Sequence, residues 1–191
     1  MATQKKSKSR ALSVAVELLE ADHRKVEGLF EDYDQAKESE DEGRKDIAER
    51  ICGELTVHAQ VEEEIFYPWL REKLAEDEME LVAEAEVEHA TAKDLITQLE
   101  DADAVDEAYD AKVKVLSEYI KHHVKEEENE IFPKVSKHKE ELDELGQQMA
   151  SRKAELIEVL GISEEGEEPM PAEAMGKKAK GASRTAQRGD R

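Results

Sequence analysis

Two stretches of the chain share one pattern of residue types: His58–Pro68 reads HAQVEEEIFYP, and His123–Pro133 reads HVKEEENEIFP. In each, a histidine is followed four residues later by a glutamate, and ten residues later by a proline. Residues four apart lie on the same face of an α-helix. The repeat therefore predicts two helices that each present a His–Glu pair, and the two prolines are expected to end or kink them.

The surrounding sequence extends this repeat to a whole helix pair. His23 and His89 lie 66 residues apart, and each has a leucine six residues later. Apolar residues recur at helical spacing throughout this region. The periodicity predicts helices over about residues 11–37, 44–66, 77–100, 105–131 and 137–160. The predicted fold is all-α: an up-down antiparallel four-helix bundle made of a duplicated helix pair, with an additional C-terminal helix and a disordered tail.

Composition marks the limits of the bundle. Residues 1–10 carry four basic groups and no acidic group, and they are predicted to be a disordered basic N-terminus. The bundle is assigned to residues 11–135 and the additional helix to residues 136–160. Residues 161–191 contain no aromatic residue and hold five of the nine glycines. They lack the apolar side chains needed to offset the entropy of ordering, so we expect a disordered tail.

The composition of the 191 residues excludes several classes of protein. Aromatic residues make up 4% and charged residues 40% of the chain, which argues against a β-sandwich or barrel. No apolar run approaches the roughly 18 residues of a membrane span. The single cysteine, Cys52, excludes an internal disulfide framework and a cysteine-based zinc site. We expect a cytoplasmic protein without membrane association.

Charge is unevenly distributed along the chain. Residues 11–171 hold 18 Lys and Arg against 47 Asp and Glu, a net charge of −29. Such a body repels the phosphates of DNA and RNA. Nucleic-acid binding by the acidic body is therefore not expected.

Six residues on the predicted apolar faces carry groups that an ordinary core does not need. They are His23, His58, Glu62, His89, His123 and Glu127. Burying an unpaired carboxylate costs several kcal/mol, whereas two divalent cations would neutralise the charge. Four imidazoles supply two nitrogens per metal, and two carboxylates can bridge the metals. Mixed ligation of this kind suits iron, manganese or zinc. A bridged, partly open pair favours iron, because iron cycles between Fe²⁺ and Fe³⁺.

These motifs resemble the hemerythrin-like HHE cation-binding domains over about residues 11–135. The resemblance implies a four-helix bundle with two non-haem iron ions in its core, bridged by carboxylates and by an oxo or hydroxo group. Oxygen-carrying hemerythrins have a fifth histidine in an H-x3-H motif on the third helix, and H-x4-D on the fourth. Here Ala85 and Lys93 flank His89 at −4 and +4, and the fourth helix has H-x3-E. The chain is more similar to the class that includes bacterial iron–sulfur repair proteins and the iron-sensing domain of a ubiquitin-ligase subunit.

Two assignments within the site have alternatives. Glu27, four residues after His23, is a candidate to replace the missing ligand. His122 competes with its neighbour His123. The repeat favours His123, because it precedes its proline by ten residues as His58 does, and the same alignment chooses Glu127 over Glu126.

Three functions are compatible with this reading. The first is a di-iron protein that binds or reacts with dioxygen, peroxide or nitric oxide, in sensing, detoxification or iron handling. The second is a non-catalytic iron-binding module that stores iron or donates it to damaged iron–sulfur centres. The third is a purely structural acidic bundle. Nothing in the sequence identifies an organic substrate or a protein partner.

Overall fold

In the part of the chain that the structure describes, four long helices form a bundle and three further α-helices extend it. The computed structural model describes residues 12–38 and 43–162, and within these ranges it contains no strand. The long helices are α1 (Val14–Glu38), α2 (Arg44–Val61), α4 (Met79–Glu100) and α5 (Glu107–Glu126). The shorter α3 (Tyr67–Lys73) continues α2, α6 (Phe132–Val135) continues α5, and α7 is Lys139–Leu160. The predicted all-α bundle is confirmed.

Successive long helices run in opposite directions. Asp22 of α1 contacts His58 of α2, and Lys25, about one turn further along α1, pairs with Glu54, about one turn earlier in α2. Tyr33 near the end of α1 donates a hydrogen bond to Asp110 near the start of α5. Helices α4 and α5 are joined by residues 101–106, where the Asp106 side chain accepts a hydrogen bond from the backbone N–H of Tyr109 and caps α5. The order of the bundle is therefore up-down-up-down.

Each of the two sequence motifs contains a π-helical turn. The turns span Glu62–Phe66 and Glu127–Ile131, and in each the glutamate carbonyl accepts from the N–H five residues later. The helices were predicted to end near residues 66 and 131, but they continue to Lys73 and Val135. A proline cannot donate to the carbonyl four residues earlier and its ring collides with that carbonyl. A π turn directly before each proline supplies one extra residue, so the helix continues with Pro68 or Pro133 in the first turn of the next segment.

Two apolar clusters lie on either side of the layer that holds the four predicted histidines. One cluster joins the first turns of α1 to α3, α6 and α7, with Leu19, Phe66 and Met149 at its centre. The other joins the far halves of α1, α2, α4 and α5, including Ile51 and Leu116. The polar layer is thus enclosed by apolar core at both ends.

Helix α7 packs on the outside of the bundle, against α1 and α2. Its predicted core residues Leu142, Leu145, Met149 and Leu156 are buried, but the predicted core residue Val159 is 79% exposed. Ile157 packs against the core, and Val159, two residues further on, lies on the opposite side of the last turns of α7. Gly161 ends the helix with a φ of 65°, and Ile162 packs back against the core.

Residues 1–10 and 163–191, which were predicted to be disordered, lie outside the described residues. The predicted tail, 161–191, also included Gly161 and Ile162, which are described and which end α7 and pack against the core. None of the helices within the described ranges is long and apolar enough to cross a membrane.

Candidate metal centre

All six side chains predicted as metal ligands meet at the middle of the bundle. They come from α1 (His23), α2 (His58), the first π turn (Glu62), α4 (His89), α5 (His123) and the second π turn (Glu127). The two glutamates are 0% exposed, and the histidines are between 3% and 6% exposed. We call these six residues the inner cluster.

Glu62 lies between the two halves of the inner cluster. Its Oε2 atom is 3.2 Å from Nε2 of His58 and 3.3 Å from Nε2 of His89. Glu62 accordingly belongs to two groups whose potential ligand atoms lie within 4.8 Å of one another. One group contains His23, His58 and Glu127, and the other contains His89 and His123.

Glu127 occupies the equivalent position in the second motif. Its Oε2 atom is 3.3 Å from Nε2 of His23 and 3.6 Å from Nε2 of His123. Each glutamate therefore faces one histidine of the pair His23 and His58 and one of the pair His89 and His123. This is the placement that two bridging carboxylates need between two cations.

The inner cluster also contains buried polar atoms without hydrogen bonds. They are Nε2 of His23, Nε2 of His58, Oε1 of Glu62 and Oε2 of Glu127. A buried donor or acceptor left unsatisfied costs about 1–3 kcal/mol, so four at one place are unusual in a folded core. Nitrogen and carboxylate oxygen are the atoms that bind iron, manganese and zinc. The donor set therefore fits a divalent metal site.

Each histidine of the inner cluster contacts a carboxylate on its outer side through Nδ1. These outer carboxylates are Asp22 for His58 (3.5 Å), Glu63 for His89 (3.1 Å), Glu88 for His123 (2.9 Å) and Glu128 for His23 (2.9 Å). A ring whose Nδ1–H donates to a carboxylate keeps its Nε2 lone pair for a metal. The four contacts therefore orient all four imidazoles towards the centre.

The outer carboxylates repeat the internal symmetry of the sequence. Asp22 directly precedes His23 and contacts His58, the other inner histidine of the first repeat. Glu88 likewise directly precedes His89 and contacts His123, the other inner histidine of the second repeat. Glu63 and Glu128 each directly follow an inner glutamate and reach across to the opposite half. The two halves are thus tied together by hydrogen bonds as well as by the shared glutamates.

Tyr67 lies in the centre of the bundle and is fully buried. Its hydroxyl donates to Oε1 of Glu127 (3.1 Å) and lies 3.3 Å from Nε2 of His89 and 3.5 Å from Oε2 of Glu62. The corresponding residue of the second motif is Phe132, whose ring stacks on His23 at 6.1 Å. Tyr67 therefore makes the two halves chemically different.

The charges of the cluster shift its pKa values in opposite directions. Burial acts to lower the pKa of His58, but Glu62 and Asp22 outweigh it and raise that pKa well above the ordinary value. Burial acts to raise the pKa of Glu62, but His58 and His89 hold it well below its usual range. For Tyr67, burial and the two inner glutamates together raise the pKa, so the phenol stays protonated. Glu62 thus presents an ionised carboxylate to the centre.

A small apolar cavity adjoins the histidine side of the inner cluster. Its volume is about 20 Å³, and its apolar lining includes Val26, Leu55, Ala92, Ile96 and Ile120. A space of about 10–15 Å³ on this measure holds one water molecule. The cavity can therefore hold a molecule of one or two heavy atoms next to the centre, and no larger one without movement.

The two alternative ligands considered from sequence lie outside the inner cluster. Glu27 pairs with Arg24 at 2.6 Å at the surface. His122 has a side chain that is 57% exposed and faces Glu88 and Glu126. The sequence prediction missed Asp22 and Glu88. The repeat could have identified them, because Asp22 directly precedes His23, and Glu88, 66 residues later, directly precedes His89.

Comparison with known proteins agrees with this geometry. A protein named DNA nickase from Nostoc sp. (strain PCC 7120) is 26% identical over 116 residues, which are 61% of this chain and 32% of the relative. The chain thus spans about a third of the length of this curated relative. No solved structure gives a significant match. The family described as the hemerythrin HHE cation binding domain matches residues 14–135. The chain belongs to the hemerythrin HHE cation-binding family, and its buried His and Glu cluster is capable of holding a metal.

Proposed function

We propose that the protein is a non-haem di-iron protein that binds or reacts with dioxygen, peroxide or nitric oxide, in sensing, detoxification or iron handling. The observation that carries the proposal is the position of each inner glutamate between histidines of opposite pairs. One metal would be held by His23 and His58 and the other by His89 and His123. Glu62 and Glu127 would be shared by both metals.

The side chains around the inner cluster support redox chemistry with a very small ligand. Iron, when bound, would supply electron transfer between its ferrous and ferric states. The outer carboxylates hold the imidazoles in one orientation, and the apolar ends of the bundle exclude bulk water. The Tyr67 hydroxyl donates its proton to a hydrogen bond with Glu127, with 3.1 Å between the two oxygens. The cavity of about 20 Å³ suits a diatomic molecule and is too small for an organic substrate.

The proposal is tested by metal content and optical spectra. We expect about two irons per chain after reconstitution, with near-ultraviolet and visible bands that appear when the ferrous protein meets air. His123→Ala should lose at least one iron, since it removes a nitrogen from the centre. The matched control His122→Ala should keep both, because His122 lies outside the inner cluster. One iron or fewer in the unaltered protein would overturn the di-iron proposal, and the reverse ranking of the two variants would overturn the assignment of His123.

The alternative function, iron storage or donation to damaged iron–sulfur centres, predicts rapid release of iron. The inner cluster is enclosed by apolar core, which favours retention. We therefore expect slow iron transfer to a chelator, over hours rather than seconds. Transfer to a chelator or to an apo-cluster protein within seconds would favour the donor function.

We further propose that the acidic body does not bind DNA, whatever the activity of the longer relative. Residues 11–171 carry a net charge of −29, which opposes contact with phosphates. In a gel at low salt, residues 11–171 should not change the migration of a labelled DNA duplex. A change in migration that added salt abolishes would contradict this.

A cytoplasmic location completes the proposal, since a chain with one cysteine has no internal disulfide that would need an oxidising compartment.

A further inference from the structure

A second group of metal-binding side chains lies just outside the inner cluster, on the surface formed by α4 and α5. It consists of Glu88, His122 and Glu126, whose potential ligand atoms lie within 4.8 Å of one another. Nε2 of His122 is 3.2 Å from Oε1 of Glu126 and 3.6 Å from Oε1 of Glu88. We call these three residues the outer triad.

The outer triad differs from the surroundings of the other outer carboxylates. Asp22 pairs with Lys153, Glu63 with Lys93, and Glu128 with Arg24. In each case a fixed positive charge balances a carboxylate that holds an inner histidine. Within the described residues, the group facing the free oxygen of Glu88 is instead His122. Two carboxylates therefore converge on an imidazole at the one position where the internal symmetry would place a cation.

The side chains of the triad have the exposure that a loading site needs. His122 is 57% exposed, whereas the side chains of Glu88 and Glu126 are 13% and 24% exposed. Water could complete the coordination of an ion there, so the ion could exchange. One nitrogen and two carboxylate oxygens suit Fe²⁺, Mn²⁺ or Zn²⁺.

Glu88 connects this surface directly to the inner cluster. Its Oε2 accepts from Nδ1 of His123 at 2.9 Å, while its Oε1 faces His122. We propose that Glu88, His122 and Glu126 bind a divalent first-row cation at the surface, and that this site loads the buried centre through the wall formed by Glu88 and His123. The binding site stands on the geometry of the triad alone, and the loading role rests on the proposed function.

The binding site is tested with Mn²⁺ on protein whose centre is already saturated with its metal. Loss of the free Mn²⁺ resonance signal counts the ions bound. We expect one additional, exchangeable Mn²⁺ per chain, and a loss of affinity of about tenfold or more in His122→Ala and in Glu126→Gln. The matched control is His138→Ala, because His138 also contacts a glutamate, Glu141 at 3.1 Å, but no third candidate ligand joins this pair among the described residues. Absence of the additional Mn²⁺, or equal affinity in all variants, would overturn the site.

The loading role is tested by the rate at which apo-protein takes up Fe²⁺. We expect uptake to slow several-fold in His122→Ala and Glu126→Gln, with the same final iron content as the unaltered protein. Unchanged uptake would overturn the loading role. A wrong final iron content in the unaltered protein would instead overturn the proposed function, so the two failures can be distinguished.

Discussion

Tyr67 carries a hydroxyl group at a position where the second motif has the plain phenyl ring of Phe132. It and Phe132 occupy the same position in the two motifs, and each ring packs on a histidine of the inner cluster. The Tyr67 hydroxyl adds a hydrogen bond to Glu127 that Phe132 cannot offer to Glu62. A carboxylate that accepts a hydrogen bond donates less charge to a metal, so the two metal positions of the proposed di-iron centre should not be equivalent.

We predict that Tyr67→Phe keeps both metals but lowers the reduction potential of the iron-loaded protein. Loss of the donated hydrogen bond leaves Glu127 a stronger donor, which favours the ferric state. Stability should fall by about 0.5–1.5 kcal/mol, as for one buried hydrogen bond. The matched control is Tyr33→Phe, which removes a 2.7 Å bond to Asp110 far from the centre. It should cost similar stability and leave the potential unchanged, and equal potentials in both variants would contradict the prediction.

Cys52 is predicted to be chemically inert in the folded protein. It is 2% exposed, and burial, followed by the charges of Glu100 and Glu49, raises the pKa of its thiol to about 12. The thiolate is the reactive form, so iodoacetamide at pH 8 should not modify the folded chain. Mass spectrometry should show modification once urea is added. The pKa of the Cys52 thiol in the folded chain lies above the ordinary value of 9.0. The contribution of this thiol to the free energy of unfolding is therefore fully present below pH 9 and is lost as the pH rises towards 12.

At the scale of the element, the distance between two packed helices decides whether a glycine between them can be replaced by a larger residue. Helix α7 crosses the start of α1 at Gly146, where an added Cβ would lie 2.4 Å from the backbone nitrogen of Ala15. At Gly28, inside α1, an added Cβ would meet no atom within 4 Å. The same substitution should therefore have opposite effects at the two positions.

We predict that Gly146→Ala lowers the free energy of unfolding by about 1–3 kcal/mol, because backbone atoms of α1 cannot move aside as a flexible side chain would. Gly28→Ala should raise it by about 0.5–1 kcal/mol, since alanine loses less backbone entropy in a helix. Denaturant unfolding of the two variants measures both. A Gly146→Ala protein as stable as Gly28→Ala would show that α7 does not pack against α1 as described.

The helices that could be predicted most closely are those in which apolar residues recur at helical spacing without interruption. The bounds of α4 and α7 agree with the predicted helices to within two residues, and the predicted inner cluster is brought together, although metal binding by its members remains a prediction. The π turns were missed because one extra residue in a helix does not produce a recognisable spacing of apolar residues in the sequence. Among the outer carboxylates, Glu63 and Glu128 could not be singled out from spacing, because 49 of the 191 residues are acidic and their neighbours Glu64 and Glu126 fit equally well.

At the scale of the whole molecule, α7 completes a core that the duplicated helix pair leaves open. Met149 is fully buried against the first turns of α1, and Lys153 pairs with Asp22, which in turn contacts His58. Helix α7 lies outside the repeat, yet it supports one wall of the inner cluster. Stability and metal content should therefore both depend on it.

We predict that Met149→Ala lowers the free energy of unfolding by about 2–5 kcal/mol, through lost apolar contacts and the cavity that remains.

Lys153→Ala should cost little stability but speed the loss of metal from the centre, because Asp22 loses the partner that helps to hold it against His58.

The control for both variants is a truncation after Ile162, which keeps α7 and the contact of Ile162 with the core. It removes only residues whose composition predicts disorder, so melting temperature and iron content should not change. A fall in either after this truncation would show that the tail has a structural role, whereas a Met149→Ala protein of unchanged stability would show that α7 is only peripheral to the core.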